Sequence, residues 1–403
     1  MRPGQAGPEE ILRIEDPSSR MTAFLVIDST RLGPAFGGIR VRAYEHERDA
    51  LLEAMDLAAA MTLKAALAEL PCGGGKIVVM DRPGLRRRRA WEILGDALNL
   101  LNGRFFAGRD YGMSQADLAL LGRVTRFTPA EVPAVSRHAG PSGRAPGGGR
   151  RGGATHPHPG GFDYGDATAR GVLAALLAAL AHCRGPAPSG PGGPLGPGTR
   201  RTNPSSQESR ARARNRIPRP GVRPLEGTHV AVQGLGSVGF PLVRRLLEAG
   251  ARVTASDPDS GAARRASALG ARLVAPARLM PAGAEVFIPA ALGGILDEAF
   301  AERCTARIVC GPANNALSSV RVEEALMRRG VLVVPDSLAG AGALIAGVLL
   351  RMKAVADPGP AIDRIGERVL RLLRQAAARG ELPSEAATRA AHRRLARAVH
   401  EAP

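Results

Sequence analysis

Short apolar runs alternate with amphipathic segments along the second half of the chain. Runs rich in Val, Ile and Ala predict buried strands, and the segment between the first two runs, Phe240–Ala249, predicts a helix. The predicted strands are Thr228–Gln233, Ala251–Ser256, Glu285–Ile288, Arg307–Cys310 and Val331–Val334. This alternation is typical of a parallel, doubly wound sheet with right-handed crossovers.

The first half of the chain has longer helical segments around one buried strand. Apolar positions recur at helical spacing in residues 49–68, and Lys76–Met80 predicts a short buried strand. The predicted helices outside the doubly wound region are 49–68, 86–102, 167–182, 341–378 and 384–400. The sequence therefore predicts an α/β protein, and a length of 403 residues favours two domains.

Positive charge is concentrated in two segments of low complexity, 134–160 and 184–225. They contain four and nine arginines with Glu208 as the only acid, and so carry +12 of the formal charge of +18. Their Gly- and Pro-rich composition predicts disordered inserts or linkers. A charge of this size suggests nucleic-acid binding. Two-thirds of the charge, however, lies in these two segments, and only three of the 55 basic residues are lysine. Both features favour compositional drift of the coding sequence over selection for nucleic-acid binding.

Several classes of protein and site are disfavoured by simple features. No apolar run approaches the roughly 18 residues of a membrane span, and residues 1–10 lack the pattern of a secretory signal. The four cysteines form no CxxC pair, which predicts a reducing cytoplasm and no zinc site. His156 and His158 have no further ligands nearby, so no metal is expected.

The segment 234–239 is a complete GxGxxG between a predicted strand and a predicted helix. Gly234 permits a tight turn, Gly236 lets a pyrophosphate approach the backbone, and Gly239 lets the helix pack on the strand. Asp257, at the end of the next predicted strand, would bind ribose hydroxyls and repel a 2′-phosphate, which favours NAD over NADP. The cofactor contacts predicted here are Gly234, Gly236, Ser237, Val238, Gly239 and Asp257.

Two of the three lysines, Lys64 and Lys76, lie close together in the sequence, and Lys76 follows three glycines. A glycine run lets the backbone approach a ligand without a Cβ in the way. Arginine cannot replace a lysine that must release a proton near neutral pH, because the pKa of a guanidinium stays above ~12. We therefore predict that lysine persists where the chemistry requires an amine.

These residues belong to a series of motifs that resembles the Glu/Leu/Phe/Val dehydrogenase family, most closely its leucine, valine and phenylalanine branch. The motifs follow the family's order and cover most of the chain outside the low-complexity segments. They are Gly33-Pro-Ala-Phe-Gly-Gly-Ile-Arg40, Met61-Thr-Leu-Lys64, Gly73-Gly-Gly-Lys76, Arg109-Asp-Tyr-Gly-Met-Ser114, Thr168-Ala-Arg-Gly-Val172, Val232-Gln-Gly-Leu-Gly-Ser-Val-Gly239, Pro289-Ala-Ala-Leu-Gly293, Gly311-Pro-Ala-Asn-Asn315 and Pro335-Asp336.

The resemblance implies a reversible oxidative deamination, in which an L-amino acid and NAD give a 2-oxo acid, ammonia and NADH. It implies acid–base catalysis by Lys76 and Asp110, and binding of the substrate α-carboxylate by Lys64. Arg109, beside Asp110, is a candidate for keeping that carboxylate ionised. The other implied site residues are Gly37, Gly38 and Asn314 for the substrate, and Thr168 and Asn314 for the cofactor.

Phe36 bears on the choice of substrate. The resemblance places it where glutamate dehydrogenases carry a lysine for the γ-carboxylate, and an apolar ring offers glutamate no counter-charge. We therefore expect an apolar L-amino acid of the leucine, valine or phenylalanine type. The chain departs from the family in the inserts and at 161–166 and 340–343. A glutamate dehydrogenase and an impaired paralogue that binds RNA through its Arg-rich inserts therefore remain alternatives.

The resemblance also refines the expected architecture. The fold class is α/β, with an N-terminal α/β substrate domain, a doubly wound Rossmann domain that binds NAD, and C-terminal helices that return to the first domain. We expect a cytoplasmic homo-oligomer. The expected segments are a substrate-binding and assembly domain at 1–133, an insert at 134–160, a Rossmann domain at 161–345 that contains the insert 184–225, and the C-terminal helices at 346–403.

Overall fold

A computed structural model describes residues 7–128, 162–184, 223–279, 283–291, 293–352 and 355–400. The predicted inserts 134–160 and 184–225 lie outside the described residues, apart from Arg184 and residues 223–225. The chain divides into two compact units. The first comprises Met1–Gly171, Ser337–Arg368 and Ala387–Pro403, and the second comprises Val172–Asp336 and Val369–Ala386.

Five strands form a mixed sheet in the first unit. They are β1 (Glu10–Asp16), β2 (Met21–Ser29), β3 (Ala35–Arg42), β4 (Gly73–Met80) and β5 (Phe105–Arg109). The strand order is β1-β2-β4-β3-β5. The β1–β2 and β2–β4 pairs are antiparallel, whereas β3 pairs in parallel with both β4 and β5. Strand β3 therefore lies between the two strands that lead to the predicted catalytic residues.

Both faces of this sheet are buried. Helix α1 (Glu47–Leu67) covers one face, where its alanines pack on Phe24 and Val78. An added Cβ at Gly74 of β4 would collide with the backbone of Thr62, so the missing side chain allows α1 to approach closely. Helices α2 (Arg87–Leu100) and α3 (Gln115–Gly122) cover the opposite face, over a core built around Trp91, Phe105 and other large apolar side chains.

Six parallel strands form the sheet of the second unit. They are β6 (His229–Gln233), β7 (Arg252–Ser256), β8 (Arg272–Leu273), β9 (Val286–Pro289), β10 (Ile308–Val309) and β11 (Leu332–Val333). Their order is β11-β10-β9-β6-β7-β8, and every pair is parallel. Read in sequence order this is the 3-2-1-4-5-6 arrangement of a dinucleotide-binding Rossmann sheet, whose ligands bind where the order reverses. The predicted doubly wound sheet is confirmed.

The remaining helices connect and flank these strands. The helix Tyr164–Arg184 is the one described helix long and apolar enough to cross a membrane by length and composition, but 56% of its most apolar window is buried, as in a core helix. The remaining helices are α4 (Tyr164–Arg184), α5 (Gly239–Glu248), α6 (Ser260–Ala268), α7 (Pro276–Leu279), α8 (Glu298–Arg303), α9 (Val320–Arg328), α10 (Asp336–Ala339), α11 (Gly342–Met352), α12 (Gly359–Asp363), α13 (Ile365–Arg379) and α14 (Pro383–His400).

Two expectations differ from the structure. The single helix predicted over 341–378 is wrong, since α11, α12 and α13 occupy this segment. Pro358 and Pro360 explain the break, because proline supplies no N–H and is tolerated only in the first turn of a helix. The strands β1, β2, β3 and β5 of the first sheet and the two-residue β8 of the second were not predicted from the apolar pattern. Strand β2 is buried on both faces, so it lacks the alternation of a half-exposed strand.

Candidate active site

Lys76 and Asp110 are separated by 34 residues, yet their side chains touch in the first unit. Lys76 lies on β4, and Asp110 follows the last residue of β5. Because β3 pairs in parallel with both strands, these two positions come to neighbouring levels of the sheet. Lys76 precedes the partner of Ile39 on β4, and Asp110 follows the partner of Ile39 on β5. The ammonium Nζ of Lys76 donates a hydrogen bond to Oδ2 of Asp110, within a salt bridge.

Two glycines of β3 make room for this pair. An ideal Cβ at Gly38 would lie 2.8 Å from Cβ of Asp110 and 3.3 Å from Nζ of Lys76. An ideal Cβ at Gly37 would collide with the carbonyl of Gly75 on the neighbouring strand. The missing side chain at Gly38 therefore lets the lysine and the carboxylate meet over the sheet, and the missing side chain at Gly37 lets β3 and β4 pair closely beside them.

Burial and charge shift the acidity of both partners. Only 5% of the surface of Lys76 is exposed, and burial lowers the pKa of its amine below the ordinary lysine value. Burial would raise the pKa of Asp110, but the positive charges of Lys76 and Arg40 outweigh it and lower that pKa to about 2. An amine that loses its proton more easily than usual thus contacts a carboxylate that stays ionised, which is the separation an acid–base pair requires.

Arg40 is the site residue that the sequence reasoning missed. Its Nε donates to Oδ2 of Asp110 at 3.2 Å, and its second contact is with Oε1 of Glu53 at 2.5 Å. The adjacent Arg109, which was the candidate for keeping Asp110 ionised, is exposed and makes no ion pair among the described residues. That expectation is wrong because consecutive residues of a strand point to opposite faces. The position of Arg40 within the Gly-Gly-Ile-Arg motif was the available signal.

The predicted substrate residues Lys64 and Phe36 also lie in the first unit. Lys64 is on α1 and only 8% of its surface is exposed, so it is a second buried amine. Phe36 is on β3, and its ring stacks on that of Phe106 with centroids 4.8 Å apart. Phe127 meets Phe106 edge-on, at 5.7 Å between centroids. Phe36 thus belongs to an aromatic cluster that presents no charge of its own.

The glycine-rich loop of the second unit connects β6 to α5. Gly234 has a φ of +97°, in the left-handed region that favours glycine, and an added Cβ would meet the backbone of Ala290 at 2.8–2.9 Å. An added Cβ at Gly239 would collide with the carbonyl of Gly234, so this glycine allows close packing of the helix. At Gly236 an added Cβ would meet no atom of the described residues within 4 Å. Packing within the protein explains two of the glycines, and Gly236 leaves open space above the loop.

The end of β7 completes this arrangement. Asp257 accepts hydrogen bonds from the backbone N–H of Leu235, at 2.6 Å, and of Asp259, at 2.8 Å. Ser237 is exposed in the loop, and Val238 is the N-cap of α5, where no side chain caps the helix. The uncapped N-terminus of α5 and the space beside Gly236 fit the phosphates of a dinucleotide. The carboxylate of Asp257 is of the type that binds ribose hydroxyls in such sites.

The last two predicted cofactor residues lie in different units. Asn314 is exposed in the segment that follows β10, so it shares the carboxyl edge of the second sheet with Gly234 and Asp257. Thr168 belongs to the first unit, where its hydroxyl donates to the carbonyl of Tyr164 at 3.0 Å within α4. The structure thus brings together Lys76, Asp110, Gly37 and Gly38 in one unit, and the glycine-rich loop and Asp257 in the other.

Comparison with known proteins gives this geometry a context. Residues 8–126 match the family model described as Glu/Leu/Phe/Val dehydrogenase, dimerisation domain. The chain is 31% identical over 343 residues to L-tryptophan dehydrogenase of Nostoc punctiforme, covering 85% of this chain and 80% of that protein. It is 30% identical over 339 residues to leucine dehydrogenase of Geobacillus stearothermophilus, covering 84% and 76%. The crystal structure of the Nostoc punctiforme L-tryptophan dehydrogenase superposes with a TM-score of 0.69 at 27% identity, covering 97% of each chain.

Proposed function

We propose that this chain, which belongs to the Glu/Leu/Phe/Val dehydrogenase family, catalyses the NAD-dependent, reversible oxidative deamination of an apolar L-amino acid. Family membership makes it an oxidoreductase of the amino-acid dehydrogenase type. The observation that carries the proposal is the contact of a buried lysine of lowered pKa with an ionised carboxylate. The net reaction converts the amino acid, NAD⁺ and water into the 2-oxo acid, ammonium, NADH and a proton.

The proposed chemistry assigns a different task to each side chain of the first unit. Lys64 binds the substrate α-carboxylate with its buried ammonium. Lys76, as the neutral amine, takes a proton from the water that attacks the imine carbon, and returns a proton to nitrogen as ammonia leaves. Asp110 accepts and relays protons at the substrate nitrogen. A bound NAD supplies the chemistry of accepting the hydride from Cα.

The proposed preference for NAD rests on the acidic end of β7. Asp257 and the nearby Asp259 place two carboxylates beside the glycine-rich loop. A 2′-phosphate at this position would face like charge, whereas ribose hydroxyls would find hydrogen-bond acceptors. The proposed cofactor contacts are Gly234, Gly236, Ser237, Val238, Gly239, Asp257, Asn314 and Thr168.

The proposed preference for an apolar substrate rests on Phe36 and its neighbours. Phe36 stacks on Phe106, and no lysine stands at this position to meet a γ-carboxylate. A charged substrate side chain against the Phe36 ring would lose its hydration without a counter-charge from that residue. The two guanidinium groups near the cluster, Arg351 and Arg126, lie over the rings of Phe106 and Phe127 and not over Phe36. We therefore propose leucine, valine or an aromatic amino acid as substrate, with the substrate also contacting Gly37, Gly38 and Asn314.

Assembly and location follow from the same membership. The matched family model is described as a dimerisation domain and covers residues 8–126, which include all five strands of the first sheet. We therefore propose a homo-oligomer assembled through the first unit. The four cysteines are unpaired, three of them buried, which supports a reducing compartment and a cytoplasmic enzyme.

An absorbance assay for NADH across the twenty L-amino acids, run with NAD and with NADP, tests this function. We expect the highest kcat/KM with an apolar amino acid and NAD. Replacement Lys76→Ala should lower the rate of NADH formation about 10²-fold or more while leaving the far-ultraviolet circular dichroism unchanged. A preference for glutamate would identify a glutamate dehydrogenase, and a Lys76→Ala rate within about tenfold of the wild type would disprove the proposed roles.

A further inference from the structure

We propose that Arg40 is a positioning residue, and that it acts as the permanent cation that compensates Asp110 when Lys76 gives up its proton. This inference rests on the acid–base role proposed above for Lys76. It assigns a task to a side chain that does not itself exchange protons, since the guanidinium stays charged at every pH at which the protein folds.

The geometry shows one carboxylate oxygen shared by two cations. Oδ2 of Asp110 receives both the ammonium of Lys76 and, at 3.2 Å, Nε of Arg40. Arg40 is held from its other side, where its NH1 atom lies 2.5 Å from Oε1 of Glu53. The hydroxyl of Tyr44 donates to Oε2 of Glu53 at 2.5 Å, so both oxygens of the second carboxylate are also occupied.

The four inner groups of this network are neutral together, and Arg42, which forms a salt bridge with Glu53, adds one positive charge at its edge. The inner groups are two cations, Lys76 and Arg40, and two carboxylates, Asp110 and Glu53, brought together by β3, β4, α1 and the residue after β5. When Lys76 becomes an amine, one positive charge is lost. Without Arg40, Asp110 would then be an unpaired anion in a partly buried place, and its charge would draw a proton back to the lysine. With Arg40 in place the anion keeps a partner in both states.

Arg40 and Glu53 have opposite effects on the pKa of Lys76. Burial is the largest cause of the lowered pKa of Lys76, the charge of Asp110 opposes it, Arg40 lowers the pKa further and Glu53 raises it. Asp110, Arg40 and Glu53 are the charged side chains with the largest influence on the amine. Arg42, whose guanidinium lies 3.5 Å from Oε2 of Glu53, reaches the network only through that carboxylate.

Only an arginine can fill this place as described. The planar guanidinium offers several N–H groups in a fixed arrangement, so that it contacts Asp110 with Nε and Glu53 with NH1 at once. A lysine at position 40 would keep the charge, but its single ammonium would have to choose between the two carboxylates. Charge and position can therefore be separated experimentally.

Acetylation of lysine by acetic anhydride at a series of pH values measures the amine pKa directly. The chain has only three lysines, so the peptide that carries Lys76 is unambiguous in a mass spectrum. We expect Arg40→Gln to raise the pKa of Lys76 by about one unit, which is the lower end of the range for a charge within ~4–6 Å. Glu53→Gln should lower it, and Arg109→Gln, the matched loss of an exposed neighbouring arginine, should leave it unchanged.

Amino-acid oxidation by the full-length protein separates position from charge. We expect kcat to fall about 10²-fold in Arg40→Gln, since a misplaced catalytic group costs about this much, with a smaller change in KM. The double variant Arg40→Gln/Glu53→Gln should restore the pKa of Lys76 but not kcat. Arg40→Lys should keep a pKa close to that of the wild type with a reduced kcat.

Equal pKa values in Arg40→Gln, Arg109→Gln and the wild type would overturn the inference, and so would recovery of kcat in the double variant. Should Arg40→Gln fail to fold, the downward shift in Glu53→Gln and the low kcat of Arg40→Lys decide the question. A wild-type protein that oxidises no L-amino acid but shows the two opposite pKa shifts would refute the proposed function alone. An active wild type without those shifts would refute the role of Arg40 alone.

Discussion

Gly38 and Gly236 show how the two units differ. Gly38 lies in the Gly37-Gly38 pair and Gly236 in the GxGxxG segment, each close to a candidate site. The two differ in what occupies the space where a side chain would stand. At Gly38 that space is occupied by protein, since an added Cβ would meet Asp110 and Lys76 within 3.3 Å. At Gly236, within the part of the chain that the structure describes, an added Cβ would meet nothing within 4 Å. The first unit thus builds its site from its own side chains, whereas the second leaves its site open.

The difference reflects the kind of work each site is suited to do. Acid–base chemistry depends on titratable side chains held against each other, so the first unit buries Lys76 and Asp110 together and shifts their pKa values. Binding of phosphate and ribose depends on backbone N–H groups and one carboxylate, so the second unit offers a glycine loop, a helix N-terminus and Asp257. The comparison predicts that rate and cofactor affinity can be changed separately.

Replacement of Lys76 should give the largest change in rate without a change in cofactor affinity. We expect Lys76→Ala and Lys76→Arg both to lower kcat by about 10²–10⁴-fold, the usual contribution of a general acid or base. The arginine keeps the charge but cannot supply a neutral amine. Affinity for NADH, measured by fluorescence titration, should stay unchanged in both variants. A Lys76→Arg enzyme with normal kcat would show that charge alone is needed.

Substitution of Gly38 should change the rate and not the cofactor affinity, and substitution of Gly236 should do the reverse. Gly38→Ala should lower kcat by about 10²-fold because it displaces Asp110 and Lys76, with NADH affinity kept. Gly236→Ala should weaken NADH binding about tenfold or more, as expected when a hydrogen bond to a charged phosphate is lost, with kcat at saturating NAD largely kept. Thermal unfolding provides the control, since Gly236→Ala introduces no collision and should leave Tm unchanged.

A change of one pH unit should give the smallest of these effects, at most about tenfold in kcat. The lowered pKa of Lys76 means that the neutral amine, the form that acts as a base, is present at lower pH than for an ordinary lysine. The kcat for oxidation should therefore rise about tenfold per pH unit and level off before pH 10.5. Asp110, with a pKa of about 2, should add no second rise between pH 5 and 9.

Backbone N–H groups do not titrate, so NADH affinity should be flat over the range in which kcat rises. A kcat that does not change between pH 6 and 10, or a parallel change in NADH affinity, would contradict the assignment of proton transfer to Lys76 and of binding to the second unit.

The second unit was easier to predict from the sequence than the first, because its site lies mostly in one short stretch of chain. The glycine-rich loop, its strand and helix, and Asp257 were identified from a short stretch of sequence, and the parallel Rossmann sheet is confirmed. The strands of the first unit were largely missed, since buried strands such as β2 lack alternation. A break at Pro358 divided a predicted helix, although the proline was visible in the sequence.

The sequence by itself determined the residues whose type is demanded by local geometry or chemistry. These include the glycine turn at Gly234 and the rare lysines, because φ angles and amine pKa values are properties of single residues. Only the tertiary structure decided which charges meet. Asp110 contacts Arg40, 70 residues away in sequence, and not its neighbour Arg109. Parallel pairing of β3 with two distant strands sets that choice, and strand pairing depends on contacts far apart in the chain.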